Sequence, residues 1–466
     1  MSFTRRNFLK SGAAASAAIG MGFPESVSPA SSGWQNREQI NPAIDNLRVV
    51  CCHDPSMITG RMTTIHPLGQ YGACDASRIE SNMDKMAQAL AQKESANDAW
   101  DTIFMMPSTK QSWNQVKAAI KVNGMDSINP SIIILDKVCK ELIRKGVLAS
   151  NIYIYDAGSE ITRWYGSSDA RSKLPQGVNI NDILGDTGQP RKNYRLANGR
   201  TYQTASWLVD GVIDLLINIA PNKGHYINNL GGFTLTMKNH VGSMKFGHPS
   251  DPADMIAMNT SDPFLGGTPP RQQLCIVDSL WATPNGPTSY DAQQYDRIVM
   301  GTCSPIVDYL TARKIRDEIM DVNSLSNSSY HINESAMTQL VEAFGYDSNS
   351  PEIRNLDLVD ALTYSSTGLQ TAAHGRGKRK VSFSFSGSHG VAPTISFKVP
   401  STGDHVIFDI FDLSGRTVSS MLLDAHRKTV VWDGSDFQGR KIGAGQYIVR
   451  CRTTGYEKSG MLQINQ

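Results

Sequence analysis

Almost no charge of either sign is left over in this 466-residue chain: 45 lysines and arginines face 43 acids, a net charge of +2. So small an excess gives no global steering toward nucleic acid or acidic membranes, and it leaves a local basic cleft as the remaining source of anion affinity. No two cysteines have C-x-x-C spacing. The seven thiols, at positions 51, 52, 74, 139, 275, 303 and 451, are scattered and odd in number, which excludes a ferredoxin-type cluster or zinc ribbon on this polypeptide. A G-x-S-x-G elbow, a Walker loop and an H-E-x-x-H helix are also missing, so familiar hydrolase and nucleotidase mechanisms lose support. The 39 glycines and 21 prolines are close to average usage, and 40% hydrophobic with 19% charged residues belongs to a folded globular chain. Beyond the first thirty residues, no stretch reaches the ~20 apolar residues of a membrane span. At roughly 100–200 residues per domain, the length fits two or three domains.

What is present begins with an address. Thr4-Arg5-Arg6-Asn7-Phe8-Leu9-Lys10 precedes an alanine-rich, weakly apolar run from Gly12 to Phe23, and Ser28-Pro29-Ala30 supplies small residues for cleavage. This order resembles a twin-arginine export signal over residues 1–30. It implies a partner in the twin-arginine machinery, a periplasmic or cell-surface location, and a mature chain without a transmembrane segment.

From 45 to about 350 the chain alternates strand and helix patterns. Leu47–Cys52, Gln115–Val122, Asn151–Tyr155, Val212–Ile219, Leu274–Val277 and Arg297–Met300 read as strands. Ser81–Lys93 reads as a helix, as does a segment opened by Pro130 at its first position and stopped by Gly146. A further helix is predicted over Pro305–Met320, and the polar stretch 166–205 reads as an insertion or lid. Strand, helix, strand within about forty residues predicts an α/β fold: a mostly parallel sheet with helices on both faces.

Open parallel sheets bind ligands beyond the carboxyl ends of their strands. Those positions hold His53-Asp54, Lys121 and Asn123, Asp156, Lys223 and His225, and Asp278. The densest stretch adds Gly231-Gly232 and then Thr234 to Gly242. A helix over Phe233–Val241 would place Thr234 and Lys238 on one face, with the glycines allowing close approach of an anion to its N-terminus. Lys121, Asn123, Lys223, Thr234, Lys238 and Asn239 are therefore the candidate ligand-binding residues for a small anionic molecule. His225 is the candidate proton carrier, since its ordinary pKa lies near neutrality. Asp278 and Asp308 are candidate acid–base or metal-binding carboxylates. No motif names a cofactor or a metal.

Several of these pieces occur in a recognisable order. Lys121-Val122-Asn123, Asn222-Lys223-Gly224-His225, Thr234 through Lys238-Asn239 to Gly242, Arg271, Val277-Asp278, Gly286-Pro287 and Val307-Asp308 resemble a bacterial and archaeal family known as domain of unknown function 362, often fused to ferredoxin modules. The resemblance implies a shared fold and a shared polar cleft. The missing cluster cysteines set this chain apart from the fused members.

Residues 366–380 read as a basic linker, and 381–466 as a small antiparallel β-sandwich of seven strands beginning near Val381, Thr394, Val406, Thr417, Lys428, Gln446 and Lys458. Trp432-Asp433-Gly434, Asp436, Gly439 and Gly443-Ala444-Gly445-Gln446-Tyr447 resemble the immunoglobulin-like module of flagellar hook-cap proteins, and equally the sorting modules of type IX secretion cargo. Two alternatives stand beside an exported anion-binding body: a non-catalytic cell-envelope or adhesion protein, and a redox accessory protein acting with a separate iron–sulfur partner.

Overall fold

The computed structural model describes residues 39–125, 127–183, 190–226, 231–244, 252–325 and 331–364 of the body. In the tail it describes 382–386, 394–398, 405–412, 417–424, 429–432, 434–436, 440–453 and 456–464. Residues 1–30, which read as an export signal, and 366–380, which read as a linker, lie outside the described residues. The chain divides between Gln370 and Thr371 into two compact units.

The body is an α/β unit built on one sheet. Its strands are β1 (Val50–His53), β2 (Ala118–Lys121), β3 (Ile152–Asp156), β4 (Asn179–Asp182), β7 (Leu215–Gly224), β8 (Phe233–Thr234), β9 (Gln272–Thr283), β10 (Gln293–Gly301) and β11 (Val359–Asp360). The order is β11-β1-β10-β9-β7-β2-β3-β4, with β8 paired to β7. From β9 to β4 every neighbour is parallel. β10 runs against β9 and β1, so the predicted strand at Arg297–Met300 is the return arm of a hairpin. The sheet is mostly parallel, as the alternating pattern predicts. The 166–205 stretch is only partly an insertion, because β4 joins the sheet edge while β5 (Arg191–Arg195) and β6 (Thr201–Ala205) form a separate hairpin.

Side chains alternate across each strand, and the apolar ones divide between two faces. Ile154, Ile120, Ile217 and Leu274 lie in register across four parallel strands. They pack with buried residues of α1 (Ala76–Ala91), α2 (Ala96–Ile103) and α3 (Ile132–Lys145). Cys275, Val277 and Val299 point the other way, against α5 (Ser304–Thr311) and α6 (Glu334–Glu342). Both faces are thus covered, and β7 is buried along its whole length, as a near-continuous apolar run requires. No helix of the described residues is long and apolar enough to cross a membrane.

Two predicted boundaries shift for identifiable reasons. The helix α3 starts after Ser131, whose hydroxyl accepts from Ile133 N at 3.3 Å, so Pro130 precedes the cap instead of occupying the first turn. Gly146, at φ +106°, ends it as expected. The predicted Pro305–Met320 helix is interrupted by a π-turn over Ala312–Arg316, a widened turn that local propensity does not specify.

The described residues of the tail form seven strands: β12 (Ser382–Ser386), β13 (Thr394–Lys398), β14 (His405–Phe411), β15 (Thr417–Asp424), β16 (Thr429–Val431), β17 (Gly445–Thr453) and β18 (Tyr456–Ile464). They form antiparallel sheets ordered β12-β13-β16 and β15-β14-β17-β18. Trp432 is buried with its indole N–H donating to Ser435 O at 3.1 Å, which satisfies its one polar atom inside the core.

Candidate functional site: a buried lysine cluster at the strand ends

The carboxyl ends of β2, β3 and β7 deliver Lys121, Asp156 and Lys223 to one region. The loop after β2 adds Asn123, and α4 (Thr236–Asn239), packed on β7, brings Asn239 to Lys121, whereas no charged group of the cluster acts on its neighbour Lys238. Lys121 and Lys223 are completely buried, and Lys238 is 5% exposed.

The three lysines have different surroundings. Lys121 Nζ donates to Asp156 Oδ1 at 2.6 Å, to Asn239 Oδ1 at 3.2 Å and to the Val122 carbonyl. All three of its protons are placed. Asp156 Oδ2 accepts from Gly124 N at 2.5 Å, so this carboxylate is committed on both oxygens. Lys223 Nζ donates to Asn123 Oδ1 at 2.7 Å. Lys238 Nζ is buried without a hydrogen-bond partner among the described residues.

Burial lowers the pKa of each lysine by disfavouring its charged form. For Lys121, Asp156 opposes the effect. For Lys223, burial brings the pKa down to about 7, with Asp156 opposing and the Lys121 ammonium adding to the depression. For Lys238, burial alone lowers it far below the usual lysine range. The cluster therefore holds more basic groups than acidic ones, in a place where water cannot screen them.

Asn239 locks the cluster into the sheet. Its amide donates to Asn218 Oδ1 at 2.8 Å and to Ile219 O at 3.2 Å. Asn218 in turn meets His240, whose ring binds Gln272 Oε1 at 2.6 Å and Ser243 Oγ at 3.0 Å. Burial pushes the His240 pKa down to about 3. Gly242 is obligatory here, because a Cβ would lie 2.0 Å from Asp156 Oδ1 and 2.9 Å from Lys121 Nζ.

Several predicted roles are corrected. Phe233–Thr234 is a strand, paired with Gly224 and Lys223, so Thr234 and Lys238 share no helical face. Gly231 and Gly232, at φ +107° and +82°, lead into this strand instead of opening an anion-binding helix. Asp308 accepts from Thr236 N at 2.8 Å, Thr236 Oγ1 at 2.6 Å and Met237 N at 2.9 Å. Asp278 accepts from Ser131 N at 2.6 Å and Leu280 N at 3.0 Å. Both carboxylates serve as remote caps of turns and helices. Burial raises them, Asp308 to about 7 and Asp278 to about 6, against the lowering effect of these bonds. His225 is buried, its backbone N–H donating to Gly232 O at 2.9 Å and its ring stacked on Tyr226 with centroids 5.0 Å apart. Asp278 and Asp308 are thus each engaged by backbone amides of different elements.

Residues not singled out from sequence also matter. Asp156, named from sequence only as one strand end among several and given no role, is, among the described residues, the acid bonded to Lys121. Arg316, buried by the π-turn, donates to Asn222 Oδ1 and Thr283 O at 3.0 Å and to Pro284 O at 2.9 Å. No local signal marks it. Asp54, at another strand end, is a structural partner of Arg78 at 2.5 Å and Asn82 at 2.7 Å.

Among the described residues, no group of three or more His, Cys, Asp or Glu side chains is arranged to hold a metal ion. Two surface depressions, of about 410 and 730 Å³, lie around Leu174 and Pro175 and share no residue with the lysine cluster. Comparison of the chain with protein-family models, curated proteins and solved structures finds no match.

Proposed function

We propose that the strand-end cluster is a receiving site for a small anion. The observation that supports this reading most strongly is the charge imbalance. Among the described residues no carboxylate is bonded to buried Lys223, while both oxygens of Asp156 are engaged by Lys121 and Gly124. An isolated ammonium in such a place is strongly disfavoured, which shifts Lys223 toward the neutral amine. A carboxylate or phosphate supplies both the missing acceptors and the missing counter-charge. Asn123 and Asn239 fix the geometry without adding charge.

Titration calorimetry with oxalate and with inorganic phosphate tests the reading. Lys223→Met keeps most of the side-chain volume. It is expected to weaken binding at least about tenfold, roughly the loss of one charge-assisted hydrogen bond, with an unchanged circular dichroism spectrum. Unchanged affinity in this variant refutes the site.

The protein is proposed to work outside the cytoplasm, in the periplasm or at the cell surface. Arg5-Arg6 before the alanine-rich run supports the twin-arginine route, and the motif order from Lys121 to Asp308 supports a body of the domain of unknown function 362 type. Replacing both arginines by lysine should retain the protein inside the cell; unchanged export in that variant removes the assignment. The seven-stranded tail supports envelope attachment, which deletion of 381–466 followed by cell fractionation would test.

A further inference from the structure

Lys121 and Lys223 are equally buried, and the charge of one acts on the other, yet their chemistry differs. Lys121 has every proton placed and a carboxylate at 2.6 Å, which makes it a fixed ammonium. Lys223 has one neutral acceptor, Asn123 Oδ1. That single bond orients Nζ and leaves the lone pair of the neutral amine uncommitted. Asp156, the acid that would favour protonated Lys223, is bonded instead to Lys121 and Gly124 N. A buried amine beside a fixed cation is held as the free base, the nucleophilic form of lysine. The cluster therefore combines positive field with an aimed, unprotonated amine.

We propose that Lys223 is an imine-forming lysine, and that the anion received at this site is a small oxo acid whose carbonyl carbon bonds to Nζ. The inference rests on the anion-site reading and narrows it. Among small anions, one bearing a ketone or aldehyde uses the free amine as well as the positive field.

The Nζ lone pair adds to the carbonyl carbon while the carbonyl π pair moves to oxygen. A proton passes from nitrogen to that oxygen to give the carbinolamine. The C–O bond then breaks, the oxygen taking a second proton from solvent and leaving as water, as the nitrogen lone pair closes the C=N bond. One amine, one oxo acid and one proton give one iminium and one water, with nothing oxidised or reduced. The iminium cation faces the substrate carboxylate in place of an ammonium. Lys121 is a positioning residue in this scheme, supplying the field that keeps Lys223 unprotonated. Asn123, 7% exposed, must move aside for the carbonyl to reach Nζ.

The test treats the full chain at pH 8 with pyruvate and sodium cyanoborohydride, which reduces the imine to a stable secondary amine, and maps the modified lysines by peptide mass spectrometry. A lysine at about 7 has a roughly 200-fold larger free-base fraction at pH 8 than an exposed lysine at about 10.4. The expected result is a label concentrated on Lys223 at least about tenfold over any exposed lysine, and suppressed by lactate, an anion of similar shape without the ketone. Lys223→Arg supplies a permanent cation without a nucleophilic amine and should bind lactate without being labelled. Lys121→Met removes the cation that depresses Lys223, so labelling should fall and its optimum should move to higher pH. Binding of pyruvate and lactate with no label on Lys223 overturns the imine and leaves the anion site standing. A label on Lys238 instead overturns the assignment to Lys223. Failure to bind either compound, or oxalate and phosphate, overturns both readings.

Discussion

Lys121 and Lys238 offer a paired perturbation in which similar burial leads to opposite outcomes. Replacing Lys238 by Met removes an amine that has no partner and fills nearly the same volume with apolar atoms. An unsatisfied buried polar group costs about 1–3 kcal/mol, so Lys238→Met should stabilise the body by that amount at pH 10. Each kcal/mol raises the melting temperature by roughly 2–4 °C in a unit of 150–250 residues, and by somewhat less in this larger body. The gain should be larger at pH 8. The folded amine titrates far below the unfolded one, so between those values the unfolded chain binds the extra proton and wild-type stability rises with pH. The slope is up to about 1.4 kcal/mol per pH unit, and Lys238→Met should remove it. Lys121→Met does the reverse. It leaves Asp156 Oδ1 buried without its cation, a loss of about 3–5 kcal/mol. Urea denaturation followed by the fluorescence of Trp100, Trp113, Trp164, Trp207 and Trp281 reads both. Destabilisation by Lys238→Met comparable to that by Lys121→Met would refute the assignment of Lys238 as an unpartnered buried amine.

Other consequences concern the neighbouring polar groups. Asp308→Ala should cost about 1–3 kcal/mol in a denaturation series by leaving Thr236 N and Met237 N uncapped, and it should leave oxalate affinity within about twofold. A loss of binding with intact stability would return Asp308 to the site. His240, depressed to about 3, should stay neutral from pH 5 to 8, so its ring proton shifts should not move in an NMR titration over that range. Gly242→Ala drives a methyl into the Lys121–Asp156 pair and should destabilise the body by at least about 2 kcal/mol, by the logic of a broken buried pair. A neutral effect would mean that Lys121 and Asp156 do not meet as described.

The elements that were readable from sequence are those fixed by local pattern. Leu215 to Ala220 is apolar at every position but Asn218 and becomes a central strand. The seven tail strands begin within a few residues of where turn residues and alternation place them. What was not readable depends on partners distant in the chain. The helix after Leu235 starts at Thr236 because Asp308, 72 residues away, accepts its first amides, while Phe233 and Thr234 are drawn into pairing with Lys223 and Gly224. Lys121, Asn123, Lys223 and Asn239 could be proposed as neighbours because parallel strands end on one side of a sheet. The division of labour among them could not. It turns on Asp156 choosing Lys121 over Lys223, a choice set by tertiary geometry. Arg316 reaches Asn222 only through a π-turn that no local residue announces.

The central claim is that Lys223 is mostly the neutral amine at pH 8 and that anion binding brings in a proton. Calorimetric titration of oxalate at pH 8, run in phosphate-free buffers of different ionisation enthalpy, counts that proton directly. With Lys223 at about 7, the account predicts uptake of close to one proton or more per anion bound, falling by about one in Lys223→Met. Binding with no proton uptake, or with uptake unchanged in that variant, would contradict it.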